Sequence, residues 1–339
     1  MAGVILMRRR YWLLAGLGLV IGIGIPVVLG GRELLPVLGT ISWKLPALLM
    51  LMVLTAWNLN AGRVKLLVEG MGKKTTYGQL LATVMATEFA FCATPGGTGG
   101  LVTYAYLLGR FGLSITQGLA LCAVDQLMDM LFFMTALAGV LMYWLVRPGA
   151  LHLGWQLSFL GILLVAVLGL AWLFLNYFRR FLLWLNAFLR FLKISLAKRH
   201  SLIRWAIEFR RSIQVVREFS FLRLLGVYLF CLGYWLLRYS ILYVVVRGLG
   251  GTLSWSYCFL AQMFSHTVGQ ATLVPGGSGG AEASSGLFLV PLLGGAKAAA
   301  AILLWRFATF YFYLVIGGPA FALLAGRSLW RRLTQKSGE

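Results

Sequence analysis

Apolar residues run through this chain in stretches of about twenty, separated by short polar and basic segments. A bilayer core of about 30 Å is crossed by about twenty helical residues. On that measure full spans are expected at about Tyr11–Gly30, Leu45–Ala61, Ile115–Val146, Trp155–Phe178, Leu224–Val246 and Ala298–Ala325. Two further apolar stretches are interrupted halfway by a short phrase, TPGGTGG at Thr94–Gly100 and VPGGSGG at Val274–Gly280. Proline removes a backbone donor and glycine gives up helix stability. In lipid, such a break is tolerated only where the backbone is buried in protein or lines a cavity. Each phrase therefore predicts the tip of a re-entrant helical hairpin, with arms at Gly78–Ala93 and Leu101–Gly109, and at Ser254–Leu273 and Ala281–Leu293. The expected fold is an all-α polytopic membrane protein of about six full spans and two re-entrant broken-helix hairpins.

The order of span, hairpin and span occurs twice, over residues 45–146 and 224–325, and the prolines of the phrases lie 180 residues apart. On this topology the hairpins enter from opposite sides, which an inverted repeat requires. Transporters place their sites at such repeat interfaces. Between the repeats, residues 179–223 interleave basic and apolar positions. Asn186, Arg190 and Lys193 share one helical face, while Phe181, Leu185, Phe188 and Leu192 occupy others. An interfacial amphipathic connector on the cytoplasmic leaflet is expected there. The whole chain, residues 1–339, reads as one membrane domain.

Composition agrees: 60% of the 339 residues are hydrophobic and only 12% are charged, against about a quarter charged in soluble proteins. The formal net charge of +21 would suggest nucleic acid in a soluble chain. Its distribution argues otherwise. On the proposed topology 23 of the 30 lysines and arginines lie on one side and five on the other. That asymmetry marks a cytoplasmic face carrying both termini. The first apolar run follows Arg8–Arg10 without a small-residue cleavage site, so it is expected to remain as an anchor. Cys92, Cys122, Cys231 and Cys258 stand singly in apolar segments, without metal-type spacing. No metal site and no cofactor are expected.

Two kinds of group make the phrases chemically interesting. Second arms that start at mid-membrane point N–H groups and a positive dipole end toward the tip, an arrangement that attracts phosphate. Gly96, Gly97, Gly99 and Gly100, with Gly276, Gly277, Gly279 and Gly280, allow a ligand close to the backbone; Thr94, Thr98 and Ser278 add hydroxyls. The glycines equally suit tight helix packing. The second kind is charge. Glu88, Asp125, Asp129, Glu282, Arg238 and Arg306 all fall in membrane segments, where each unpaired charge costs about 3 kcal/mol on an insertion scale. They must pair, hydrate or protonate. Asp125 and Asp129 share a helix face, and pairing with Arg238 or Arg306 is expected, either in a coupling network or in a structural cluster. Glu282 fits either the first helical turn of its arm or a contact to a headgroup amine or proton. His266 fits either a proton carrier or an interhelical hydrogen bond.

At these residues the chain resembles the flippase-like membrane domain at the N-terminus of lysylphosphatidylglycerol synthases. The resemblance covers about Tyr11–Ala325 and rests on TPGGTGG followed by LLGRFGLS, on DQLMD at Asp125–Asp129, on PGGSGGAEA at Pro275–Ala283, and on LLWRF around Arg306. It implies a stand-alone relative in the bacterial inner membrane, moving a polar lipid between leaflets. Members often carry Glu-Arg where this chain has Asp125–Gln126, so a role for arginine there is not carried over. No soluble aminoacyl-transferase segment follows, and lysyl-lipid synthesis is not expected of these residues.

The leading expectation is a flippase or scramblase for a phosphate-bearing polar lipid, with anionic or zwitterionic membrane lipids as partners and a homo-oligomer permitted. The substrate site would comprise the eight tip glycines, Thr94, Thr98, Ser278 and Glu282. The charge or coupling network would comprise Glu88, Asp125, Asp129, Arg238, Arg306 and His266. No ATP-binding phosphate loop is present, and no catalytic constellation, so the chain is expected not to be an enzyme. A small-solute secondary transporter and a membrane-embedded lipid transferase are the alternatives.

Overall fold

A computed structural model describes residues 20–146, 176–192 and 219–326, with isolated positions before and between these stretches. The described residues are almost wholly helical. In chain order the main helices are α1 (Val20–Gly39), α2 (Lys44–Gly70), α3 (Tyr77–Ala93), α4 (Thr98–Gly109) and α5 (Ile115–Val146). Then come α6 (Phe178–Phe191), α7 (Phe221–Gly248), α8 (Trp255–Ala271), α9 (Gly280–Leu293) and α10 (Gly295–Leu324). Five of these, α1, α2, the Ala120–Tyr143 part of α5, α7 and α10, are long and apolar enough to cross a membrane. The span expected at 155–178 falls almost entirely outside the described residues, as do Arg8–Arg10, Lys193 and the basic tail from Arg327.

Two boundaries differ from expectation. Beyond Gly30, where the first span is expected to end, the chain continues as a 3-10 turn (Gly31–Glu33) within the helical run to Gly39. Likewise α2 does not stop at Ala61 but runs through Arg63 and Lys65 to Gly70. Lysine, arginine and glutamate are good helix formers. A charge marks where a chain leaves hydrocarbon, not where its hydrogen-bond ladder ends. Lys65 and Glu69 even add an i, i+4 pair on this extension, at 3.7 Å.

Two compact units form, one from the chain up to Leu113 together with that from Leu229 onward, the other from Ser114–Tyr228. In the first, α3 packs against α4 and α8 against α9, each pair a helical hairpin. Both entering helices start on a hydroxyl residue. The Thr76 N–H meets the Gln79 side chain at 3.3 Å, and the Ser254 hydroxyl accepts the Tyr257 N–H at 3.3 Å. Helix α10 lies close against α3: a Cβ on Gly317 would stand 2.7 Å from the Met85 carbonyl. Trp57 of α2 packs on Phe312 and Tyr313 of α10, ring centroids 5.6 and 5.1 Å apart. Immediately after Arg306, α10 widens into a π turn (Phe307–Tyr311), a distortion common at functional sites.

In the second unit α5 carries Asp125 and Asp129; Asp125 is buried and Asp129 partly so. Helix α6 buries Leu189 and leaves Leu183, Trp184, Phe188 and Phe191 exposed beside Arg179, Arg180 and Arg190. Helix lengths repeat along the chain: 27, 17, 12 and 32 residues for α2 to α5, and 28, 17, 14 and 30 for α7 to α10.

Candidate functional site

Both glycine phrases fold into the same turn. In the first, the Gly97 N–H donates to the Thr94 carbonyl at 3.1 Å; in the second, the Gly277 N–H donates to the Val274 carbonyl at 2.9 Å. Gly96 and Gly97 have φ of +60° and +70°, and Gly276 and Gly277 of +63° and +66°. Such left-handed pairs are strained for any residue with a Cβ. The tips meet: Pro95 and Pro275 form an isolated antiparallel bridge. Leu273 of the second hairpin lies over the first tip, 3.2 Å from where a Cβ on Gly96 would sit.

The second tip is pinned from within by a salt bridge. Arg306 donates from Nε to Glu282 Oε1 at 2.6 Å, and from Nη2 to the Gly276 carbonyl at 2.9 Å and the Ser278 hydroxyl at 3.2 Å. Glu282 Oε2 accepts the Gly279 N–H at 2.7 Å, at the start of α9. Glu282 is fully buried and Arg306 is 1% exposed. Among the described residues the first tip has no such clamp. There Thr94 does the capping, accepting the Gly99 N–H at 2.8 Å while donating to the Ala90 carbonyl at 2.7 Å. Thr98 donates to the Pro95 carbonyl at 3.2 Å.

A second buried pair joins α3 to α7. Arg238 Nη1 donates to both oxygens of Glu88, at 3.2 and 3.1 Å, and to the Tyr234 hydroxyl, which itself donates to Glu88 Oε1 at 2.6 Å. The guanidinium lies over the Tyr313 ring at 5.1 Å and near Tyr234 and Trp235, contacts worth more where water is excluded. Gln262 of α8 steadies the same helix, donating to the Arg238 carbonyl at 3.0 Å.

These features line a small cavity in the first unit, with room for about one water molecule. Gly96 and Gly97 line it from the first tip and Gly276 and Gly277 from the second, with Arg238, Arg306 and His266. Seven of the expected site residues are thus brought to one place. Gly99, Gly100 and Gly280 serve packing instead: a Cβ there would meet Thr94 at 2.5 Å, Phe91 at 2.9 Å and Thr272 at 2.5 Å. Thr94, Thr98, Ser278, Gly279 and Glu282 shape the tips from behind the lining.

Within the first unit Arg238 meets Glu88 and Arg306 meets Glu282. One expectation is corrected. The expected free N–H groups at the tips are largely spent, at Gly97, Gly99, Gly100, Gly277 and Gly279, on turns and caps. Guanidinium groups, more than backbone, are what the cavity offers an anion. Sequence reasoning missed Phe91, Cys92 and Phe310, which also line the cavity, and Tyr234, which completes the Glu88 pair. The i, i+4 spacings of Tyr234 with Arg238 and of Arg306 with Phe310 were the available signals.

Paired helical hairpins, five membrane-length helices and buried Arg–Glu pairs define a multi-pass α-helical membrane protein. More particularly, the chain belongs to the family described as the lysylphosphatidylglycerol synthase TM region, which matches residues 15–317. It is also similar to a UPF0104 membrane protein of Archaeoglobus fulgidus, 24% identical over 306 residues, covering 86% of this chain and 91% of that protein. Membership of this family is consistent with a membrane-lipid-related function.

Proposed function

We propose that this protein moves a phosphate-bearing polar lipid between leaflets, as a flippase or scramblase, through the cavity between its two tips. The observation that carries this reading is the bridge at Pro95 and Pro275 over a cavity faced by two buried arginines. A solely structural cluster has no need to bring two strained glycine turns together at a pair of cations. A phosphate is the natural ligand for such donors.

In this reading the hairpins are re-entrant and the two helix sets form an inverted repeat meeting near the bilayer midplane. The distribution of basic residues supports both termini on the cytoplasmic side of a bacterial inner membrane. The bridged tips represent a closed state, since a headgroup is far larger than this cavity. Rocking of one hairpin against the other would open the cavity to one leaflet at a time. The chain is a transporter in this account, not an enzyme.

The test is purified protein in liposomes containing a headgroup-labelled phosphatidylglycerol and an impermeant quencher. The reading predicts that protein makes the inner-leaflet half of the label accessible with the lipid's mass unchanged, and that Arg306→Ala abolishes this. A changed lipid mass would indicate a transferase. Labelled lipid that stays in its leaflet, with a phosphorylated solute crossing instead, would indicate a solute carrier.

A further inference from the structure

One side chain of the cavity has no part in holding the tips. His266 stands on α8, and its Nε2 is buried without a hydrogen-bond partner among the described residues. Its ring is fixed edge-on by Trp305 at 5.1 Å and Tyr239 at 6.1 Å between centroids. The charged groups around it come from several helices. Arg238 of α7 and Arg306 of α10 line the same space, with Glu88 of α3 and Glu282 of α9 as their partners. Cys92 and Thr309 line the same space.

The two guanidinium groups and two carboxylates balance, so the resting cavity holds no net charge beyond that of the imidazole. A lipid phosphodiester brings one negative charge and no proton. Left uncompensated in a water-excluded site, that charge is costly. Each glutamate already holds an arginine and at least one further donor. His266 Nε2 has no hydrogen-bond partner among the described residues, and the ring lines the same space as both arginines.

We propose that His266 makes phosphodiester binding carry a proton: as the anion enters, the imidazole takes up one proton from water and donates an N–H to a phosphate oxygen. When the ligand leaves, the proton returns to water, so no bond of the ligand is made or broken. This rests on the cavity being a phosphate site, and it gives lipid movement a route to coupling with a proton gradient.

Calorimetric titration of the full chain in detergent tests it, with dihexanoyl phosphatidylglycerol in one arm and the chain-free diester glycerophosphoglycerol in the other. Titrations at pH 7.5 in two buffers of different ionisation enthalpy count the protons taken up. The expected result is about one proton per bound diester, lost in His266→Gln, whose binding is weaker. One proton with the lipid alone locates the site's demand in the acyl chains; one with both locates it in the phosphate, and either supports the proposal. Binding without proton uptake by the native chain, or uptake persisting in H266Q, overturns it and leaves the phosphate site standing. Failure of both probes to bind removes the site as well. Should H266Q not fold, the native proton count decides alone.

Discussion

Arg306 and Glu282 lie 24 positions apart on consecutive helices, and their 2.6 Å contact closes the second tip from behind. The contact cannot be reversed. Glu282 also accepts the Gly279 N–H, and Arg306 also donates to the Gly276 carbonyl. Removing one member of a buried pair strands the other and costs about 3–5 kcal/mol. Glu282→Ala is therefore expected to lower the unfolding temperature in detergent markedly, read by tryptophan fluorescence. The exchanged double variant Glu282→Arg/Arg306→Glu is expected to restore none of it, because acceptor and donor no longer face the backbone groups they serve. Recovery by exchange would show that the pair acts through net charge alone.

The Glu88–Arg238 pair differs in having a neutral helper. Tyr234→Phe removes one hydroxyl that both gives to Glu88 and receives from Arg238. A loss of about 1–3 kcal/mol is expected, visible as a lower denaturation midpoint. Arg238→Lys is expected to cost more than Tyr234→Phe, since an ammonium cannot lie flat on the Tyr313 ring while reaching both carboxylate oxygens. Equal stability of R238K and the native chain would contradict that geometry.

Two glycines of the second tip separate packing from backbone need. A Cβ on Gly276 would fall 2.0 Å from the Phe310 ring, whereas one on Gly277 would meet the Gly269 backbone at 2.7 Å. Both alanine variants are expected to abolish lipid movement in liposomes. Adding Phe310→Ala should restore part of the activity to Gly276→Ala, leaving the left-handed strain of about 1–2 kcal/mol. It should restore none to Gly277→Ala, because backbone cannot be trimmed. Equal rescue of both would place the fault outside the tip.

The hairpins were legible in the sequence because their signal is local. Proline and paired glycines end a helix wherever they stand, and the expected arm Gly78–Ala93 differs from the observed Tyr77–Ala93 by one residue. Helix ends at charges were not legible in the same way, as Arg63 within α2 shows. Partner choice was less visible still. Glu88 and Arg238 are 150 residues apart, and nothing in either neighbourhood distinguishes a glutamate on α3 from the aspartates of α5 as the partner. Spacing showed which charges needed a partner; only the fold that brings α3 to α7 and α9 to α10 showed which one. The spent N–H groups at the tips had the same origin, since capping by Thr94 and Glu282 depends on how the turn closes.

Lipid passes only if the tips part, and a cross-link at the bridge would hold them together. Bridged residues in an antiparallel pair have Cα atoms about 4.5–5.5 Å apart, within reach of a disulfide. In Pro95→Cys/Pro275→Cys, oxidation is expected to stop labelled phosphatidylglycerol from changing leaflet in liposomes and reduction to restore it, with each single variant unaffected by oxidant. Lipid that keeps crossing through the oxidised, cross-linked protein would contradict this requirement.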